Sequence, residues 1–149
     1  DVCSSDLSMA MKPFAGYNFA DYFAHWLSFD KPGANLPKIF QVNWFRKNEA
    51  GKFMWPGFGE NLRVLEWMLK RVTGQVDAVD TAVGFLPKAS DLNTEGLGLD
   101  EATLEQLVTI DREGWKAEMT SIGEYLDGFG ERTPHALKAE RAKIAARLA

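Results

Sequence analysis

The chain has 149 residues, 46% of them hydrophobic and 26% charged, which fits one ordinary globular domain and argues against disorder. A net charge of −4 speaks against a general nucleic-acid-binding surface, and no apolar run is long enough to cross a bilayer. One cysteine excludes an internal disulfide framework, and His25 and His135 lie too far apart to form a spaced metal motif. Together with the absence of a signal-peptide pattern, these features predict a soluble, cytoplasmic protein.

Residues 1–8 read as a non-native or disordered leader, with the remainder of the chain, 9–149, as the structured part. Asp-Val-Cys-Ser-Ser-Asp-Leu resembles a translated sequencing-library adapter; the alternative is a frayed natural terminus. Without Asp1 and Asp6 the net charge moves from −4 to −2. Of the 18 aromatic residues, 14 fall between Phe14 and Trp67, so the two halves differ in character. Residues 18–29 carry Phe19, Tyr22, Phe23, Trp26 and Leu27 at helical spacing behind a capping Asn18. Pro32 and Gly33 end that helix. In residues 38–45 Ile39, Phe40, Val42 and Trp44 alternate with polar residues, which predicts a strand. A turn over 48–51 then returns 53–55 alongside it as a hairpin.

Pro56-Gly57-Phe58-Gly59 predicts a tight loop, and Glu60 opens a helix to Val72 whose buried face is Leu65, Met68, Leu69 and Val72, with Gly74 as its stop. Residues 75–99 read as irregular. The final third reads as three helices: 100–108 with an acidic first turn, 111–126 with Trp115, Met119, Ile122 and Leu126 inward, and 134–148 capped by Thr133.

Most catalytic motifs are missing. Gly51-Lys52 lacks the rest of a phosphate loop, and Gly57-Phe58-Gly59 has Leu62 where a dinucleotide fingerprint needs its third glycine. His25 reads as structural and His135 as solvated. Residues 43–61 are different in kind: they set Trp44, Phe45, Phe53, Trp55 and Phe58 into loops beside Arg46, Lys47 and Lys52. Aromatic faces near glycines make platforms for flat ligands, and the cations suit phosphate oxygens. The carboxamide of Asn61 can pair with guanine, whose edge offers an acceptor O6 and a donor N1–H. The competing reading of this segment is a hydrophobic core with a solvated lysine fringe.

Residues 11–19 (Met-Lys-Pro-Phe-Ala-Gly-Tyr-Asn-Phe), 36–40 (Leu-Pro-Lys-Ile-Phe), 42–47 (Val-Asn-Trp-Phe-Arg-Lys), 55–61 (Trp-Pro-Gly-Phe-Gly-Glu-Asn) and 63–68 (Arg-Val-Leu-Glu-Trp-Met) resemble GTP-dependent phosphoenolpyruvate carboxykinase, in the C-terminal portion of that family's longer chain. The resemblance implies an α/β fold: short strands or a hairpin carrying a guanine pocket over 43–61, and bracing helices over 100–149 in a helix-rich C-terminal third of a nucleotide-binding, kinase-like domain. It implies decarboxylation of oxaloacetate and GTP-dependent phosphorylation to phosphoenolpyruvate, GDP and carbon dioxide, the gluconeogenic reaction, with Mn²⁺ and Mg²⁺ as cofactors.

By the same resemblance GTP is bound by Trp44, Phe45, Phe53, Phe58, Gly59, Glu60 and Asn61, with Phe45 and Phe58 on either side of the base. The family's phosphate loop, metal ligands and substrate arginines lie upstream of this pattern, so the chain carries no catalytic or metal-binding residue and is expected to be inactive alone. The implied partners are GTP or GDP, oxaloacetate and phosphoenolpyruvate, with no nucleic acid or membrane, and a monomeric state. The rival reading is a non-catalytic interaction module that docks a partner through its aromatic surface.

Overall fold

A computed structural model describes residues 14–149; the leader expected over residues 1–8 lies outside the described residues. Five α-helices are present among the described residues: α1 (Phe19–Leu27), α2 (Asn61–Val72), α3 (Glu101–Val108), α4 (Arg112–Asp127) and α5 (His135–Leu148). Two short strands, β1 (Val79–Thr81) and β2 (Gly84–Leu86), pair antiparallel with Val79 opposite Leu86. The mixed, helix-rich architecture expected from the sequence is therefore present. The chain divides into two compact units, one formed by the residues up to Leu36 with Glu113–Ala149, the other by Pro37–Arg112.

In the first unit, α1 starts just after Asn18, whose own backbone is extended: its side-chain oxygen accepts the N–H of Ala20 at 2.9 Å, which satisfies a donor the helix itself cannot. Helical spacing sets the Phe19 ring 4.9 Å from Tyr22 and 5.0 Å from Phe23, and Phe129 closes the cluster, lying 5.8 Å from Phe23 and 5.0 Å from Tyr125, both edge-on. Arg141 of α5 donates to the carbonyl of Met119 in α4 at 2.7 Å. Gly123 leaves room for the Arg141 guanidinium in this position, which a Cβ there would overlap. Met119, Leu126 and Leu148 are buried.

One capping expectation fails in this unit. Thr133 does not cap α5; its buried hydroxyl donates to the carbonyl of Leu126 at 2.7 Å, and Pro134 stands at the cap position. The last carbonyls of α4 have no helical partner, and the returning loop brings the Thr133 hydroxyl to one of them first.

The second unit departs further from the sequence pattern. Residues 38–45 form no strand: Phe40 meets Trp67 edge-on at 6.2 Å, but among the described residues no neighbouring chain pairs with this stretch. Alternation reports that one side of an extended chain faces apolar surface, while a strand also needs a hydrogen-bonded neighbour. The hairpin forms further on, where Met54 donates to Arg46 at 2.9 Å, Asn48 to Lys52 at 2.9 Å, and Lys47 bridges Phe53.

Helix α2 ends as expected, Gly74 donating to Arg71 and Gln75 donating to Lys70 at 2.8 Å. Its expected buried face is instead largely exposed: Leu65, Leu69 and Val72 face outward, Met68 is half-buried, and Trp67 is the buried residue. The helical period located an apolar stripe correctly, but burial requires a covering surface, and the described residues do not cover this stripe. The hairpin β1–β2 falls in the stretch read as irregular. Strands of three residues are too short for alternation to register, and the Thr81 hydroxyl, donating to the carbonyl of Gly84, holds its turn.

Candidate functional site

The aromatic segment of the second unit folds into a cavity through a series of local constraints. The side-chain oxygen of Asn43 accepts the N–H of Phe45 at 3.0 Å, a turn that sets Trp44 and Phe45 in place. Arg46 leaves the cavity: its guanidinium donates to the carbonyls of Gln106 at 2.6 Å, Thr109 at 3.3 Å and Leu107 at 3.4 Å, at the C-terminal end of α3. Carbonyls at the end of a helix lack i+4 partners and carry the negative end of the helix dipole, which suits a guanidinium; Gln106 also accepts the N–H of Thr109 at 3.3 Å. Arg46 is thus an anchor for the loop, and the reading of it as a phosphate ligand is corrected.

Beyond the hairpin, Met54 and Trp55 are buried. The chain then passes Pro56 and reverses at Gly57, whose φ of 128° and ψ of −169° are open to glycine alone. A single 3₁₀ turn, Phe58–Glu60, leads into α2. It leaves the Phe58 ring 92% exposed, a position that gains nothing for folding and offers a whole aromatic face to solvent.

Trp44, Phe45, Phe53, Trp55, Pro56, Gly57, Phe58 and Asn61 enclose a cavity of about 450 Å³. Trp44 lies 6.2 Å from Trp55, and Phe45 lies 6.0 Å from Phe53 with the rings steeply inclined. The indole N–H of Trp55 donates to Oδ1 of Asn61 at 2.9 Å. None of the eight lining residues is ionisable, so the cavity can recognise a ligand by stacking and neutral hydrogen bonds only. Charge stands just outside it: the Lys47 ammonium is 5.1 Å from the centre of the Phe53 ring.

Five of the seven residues expected to bind nucleotide, Trp44, Phe45, Phe53, Phe58 and Asn61, therefore line one cavity. Gly59 and Glu60 do not. Gly59 lies within the 3₁₀ turn, and the Glu60 carboxylate is held 2.6 Å from Nε of Arg63, which also donates to Asn93. Trp55, Pro56 and Gly57 also line the cavity, although they were not among those seven. A signal existed for Trp55, an indole six residues before Asn61 in a segment already read as a platform, but side-chain direction in an irregular loop cannot be read from spacing.

The shifted carboxylates lie elsewhere. Lys70, 2.7 Å away, holds Glu66 below its ordinary value, and hydrogen bonds from Thr103 do the same for Asp100 at the start of α3. His25 rests edge-on against Phe29 at 4.9 Å. No helix among the described residues is long and apolar enough to cross a membrane.

Comparison with known proteins identifies the family. The family described as "Phosphoenolpyruvate carboxykinase C-terminal P-loop domain" matches residues 3–147. The chain is 53% identical over 141 residues to the phosphoenolpyruvate carboxykinase [GTP] of Chlamydia trachomatis, covering 93% of this chain and 23% of that protein. It is 46% identical over 143 residues to the protein of the same name from Arthrobacter sp., covering 95% and 23%. A third relative so named, from Treponema pallidum strain Nichols, is 46% identical over 142 residues, covering 93% and 23%. The chain thus spans under a quarter of the length of these curated relatives. With a family match running over nearly its whole length, the chain belongs to the GTP-dependent phosphoenolpyruvate carboxykinase family, within the C-terminal P-loop domain.

Proposed function

We propose that the cavity is the guanine pocket of a GTP-dependent phosphoenolpyruvate carboxykinase, which converts oxaloacetate and GTP to phosphoenolpyruvate, GDP and carbon dioxide in gluconeogenesis. The observation that carries this reading is an uncharged aromatic cavity of about 450 Å³ with one carboxamide, Asn61, on its wall. That volume lies in the usual range for small-molecule sites, about 300–1,000 Å³. Phe45 and Phe58 take the two faces of the base, and Phe53 and Trp44 close the sides. Asn61 supplies a donor for guanine O6 and an acceptor for N1–H. Outside the rim, Lys47 and Lys52 are placed in sequence to meet phosphate oxygens.

The family's chemistry uses Mn²⁺ and Mg²⁺. No group of three His, Cys, Asp or Glu side chains among the described residues is placed to hold a metal ion, so the residues present do not fit these ions. Under this reading the chain contributes nucleotide selection and no phosphoryl transfer of its own, and it acts on small molecules as a cytoplasmic monomer, without nucleic acid or membrane. The docking-surface reading is not favoured, because the relatives that share this segment all carry the carboxykinase name.

Calorimetry of the 149-residue chain with GDP and with ADP tests the proposal. GDP binding clearly tighter than ADP binding is the expected result. Equal affinities would overturn the guanine reading and favour an aromatic docking surface.

A further inference from the structure

A carboxamide alone cannot choose between guanine and adenine. Turned one way it donates to O6 and accepts from N1–H of guanine; turned over, it accepts from the N6 amino group and donates to N1 of adenine. Selection of one base needs something that stops the amide from turning over. We infer that Trp55 is that element: it is a positioning residue that makes Asn61 a guanine reader, an inference that rests on the guanine-pocket reading above.

The Trp55 side chain is buried, and its indole N–H, which can only donate, points at Oδ1 of Asn61 at 2.9 Å. That identity of donor fixes which end of the carboxamide is oxygen. Turning the amide over would set two donors face to face and leave a buried N–H without a partner, an outcome that costs more than an ordinary hydrogen bond contributes.

In the held orientation the two N–H groups of Nδ2 and the second lone pair of Oδ1 remain for a ligand, which matches guanine and mismatches adenine. The surroundings reinforce the hold. Trp55 is wedged against Trp44, and Asn61 is the first residue of α2, so neither end of the bond belongs to a freely moving segment. Trp55 touches the base edge only through Asn61 in this scheme; its role is selectivity.

The test compares GDP and ADP binding by calorimetry for the wild-type chain and for Trp55→Phe, which keeps an aromatic ring but has no N–H to donate. The expected result is a GDP-to-ADP affinity ratio lowered about tenfold, the factor for one neutral hydrogen bond, with the stacking contribution to both nucleotides retained. A variant that binds with the wild-type ratio overturns the inference and leaves the guanine pocket standing. A wild-type chain with no preference for GDP overturns the guanine pocket itself, and the inference with it. If Trp55→Phe does not fold, hydrogen exchange of the Trp55 indole proton in the wild-type chain decides. Slow exchange, slowed further by GDP and not by ADP, supports the inference, and exchange at the rate of an exposed indole overturns it.

Discussion

Two aromatic clusters of similar composition occupy the two units of this chain, and they are built for different ends. In the first unit Phe23 meets Phe19 and Phe129 edge-on and Phe129 meets Tyr125 edge-on, so the rings pack against one another. In the second unit, Phe45, Phe53 and Phe58 are 62%, 57% and 92% exposed and line an open cavity. Burying aromatic area stabilises a fold, and the Phe58 ring, carried outward by a glycine reversal and a 3₁₀ turn, forgoes that gain. The lesson is that aromatic content alone does not mark a site; what marks it is aromatic area that the fold declines to bury.

The comparison is broken most directly by truncating a ring in each cluster. Phe129→Ala removes the ring that Phe19, Phe23 and Tyr125 all touch and should destabilise the fold by about 3 kcal/mol, read as a fall in thermal midpoint, while GDP affinity of the folded protein stays unchanged. Phe58→Ala should do the reverse. Its exposed ring adds little to stability, but loss of one stacking face should weaken GDP binding by about 2 kcal/mol, roughly thirtyfold. An equal loss of stability in both variants would erase the distinction between the clusters.

Smaller changes sharpen it. Arg46→Met keeps the aliphatic stem but frees the end of α3, and should cost about 1.5 kcal/mol in stability. A larger loss of phosphate-dependent than of base-dependent binding in that variant would restore Arg46 as a phosphate ligand. The smallest effect concerns Asp100. Its carboxyl is held below the ordinary value of 3.8 by Thr103, so its contribution is present above that pH and is lost as pH falls through the lowered value. Asp100→Asn accepts the same N–H without titrating, so wild type should lose more thermal stability than the variant between pH 5 and pH 3. Parallel curves would show that the cap does not titrate in that window.

Helix positions were largely legible in the sequence because their signals are local. Asn18 and Asp100 accept from backbone N–H groups two and three residues on, and Gly74 ends α2, as their places in the sequence indicate. Burial was less legible. The stripe Leu65, Leu69 and Val72 has the period of a buried face and yet lies exposed, because covering it is a property of distant chain. The same limit explains why 38–45 reads as a strand and is not one.

What the sequence alone determined here is the inventory of the site: which rings, which carboxamide and which glycines lie within 43–61, together with the string of residues that places the chain in its family. What only the tertiary structure decided is direction. It turned Arg46 away to the end of α3, paired Glu60 with Arg63, and brought the Trp55 N–H to Asn61. Residue type sets what a group can donate or accept, whereas the partner it meets depends on backbone dihedrals summed over an irregular loop, and spacing along the chain carries no record of that sum.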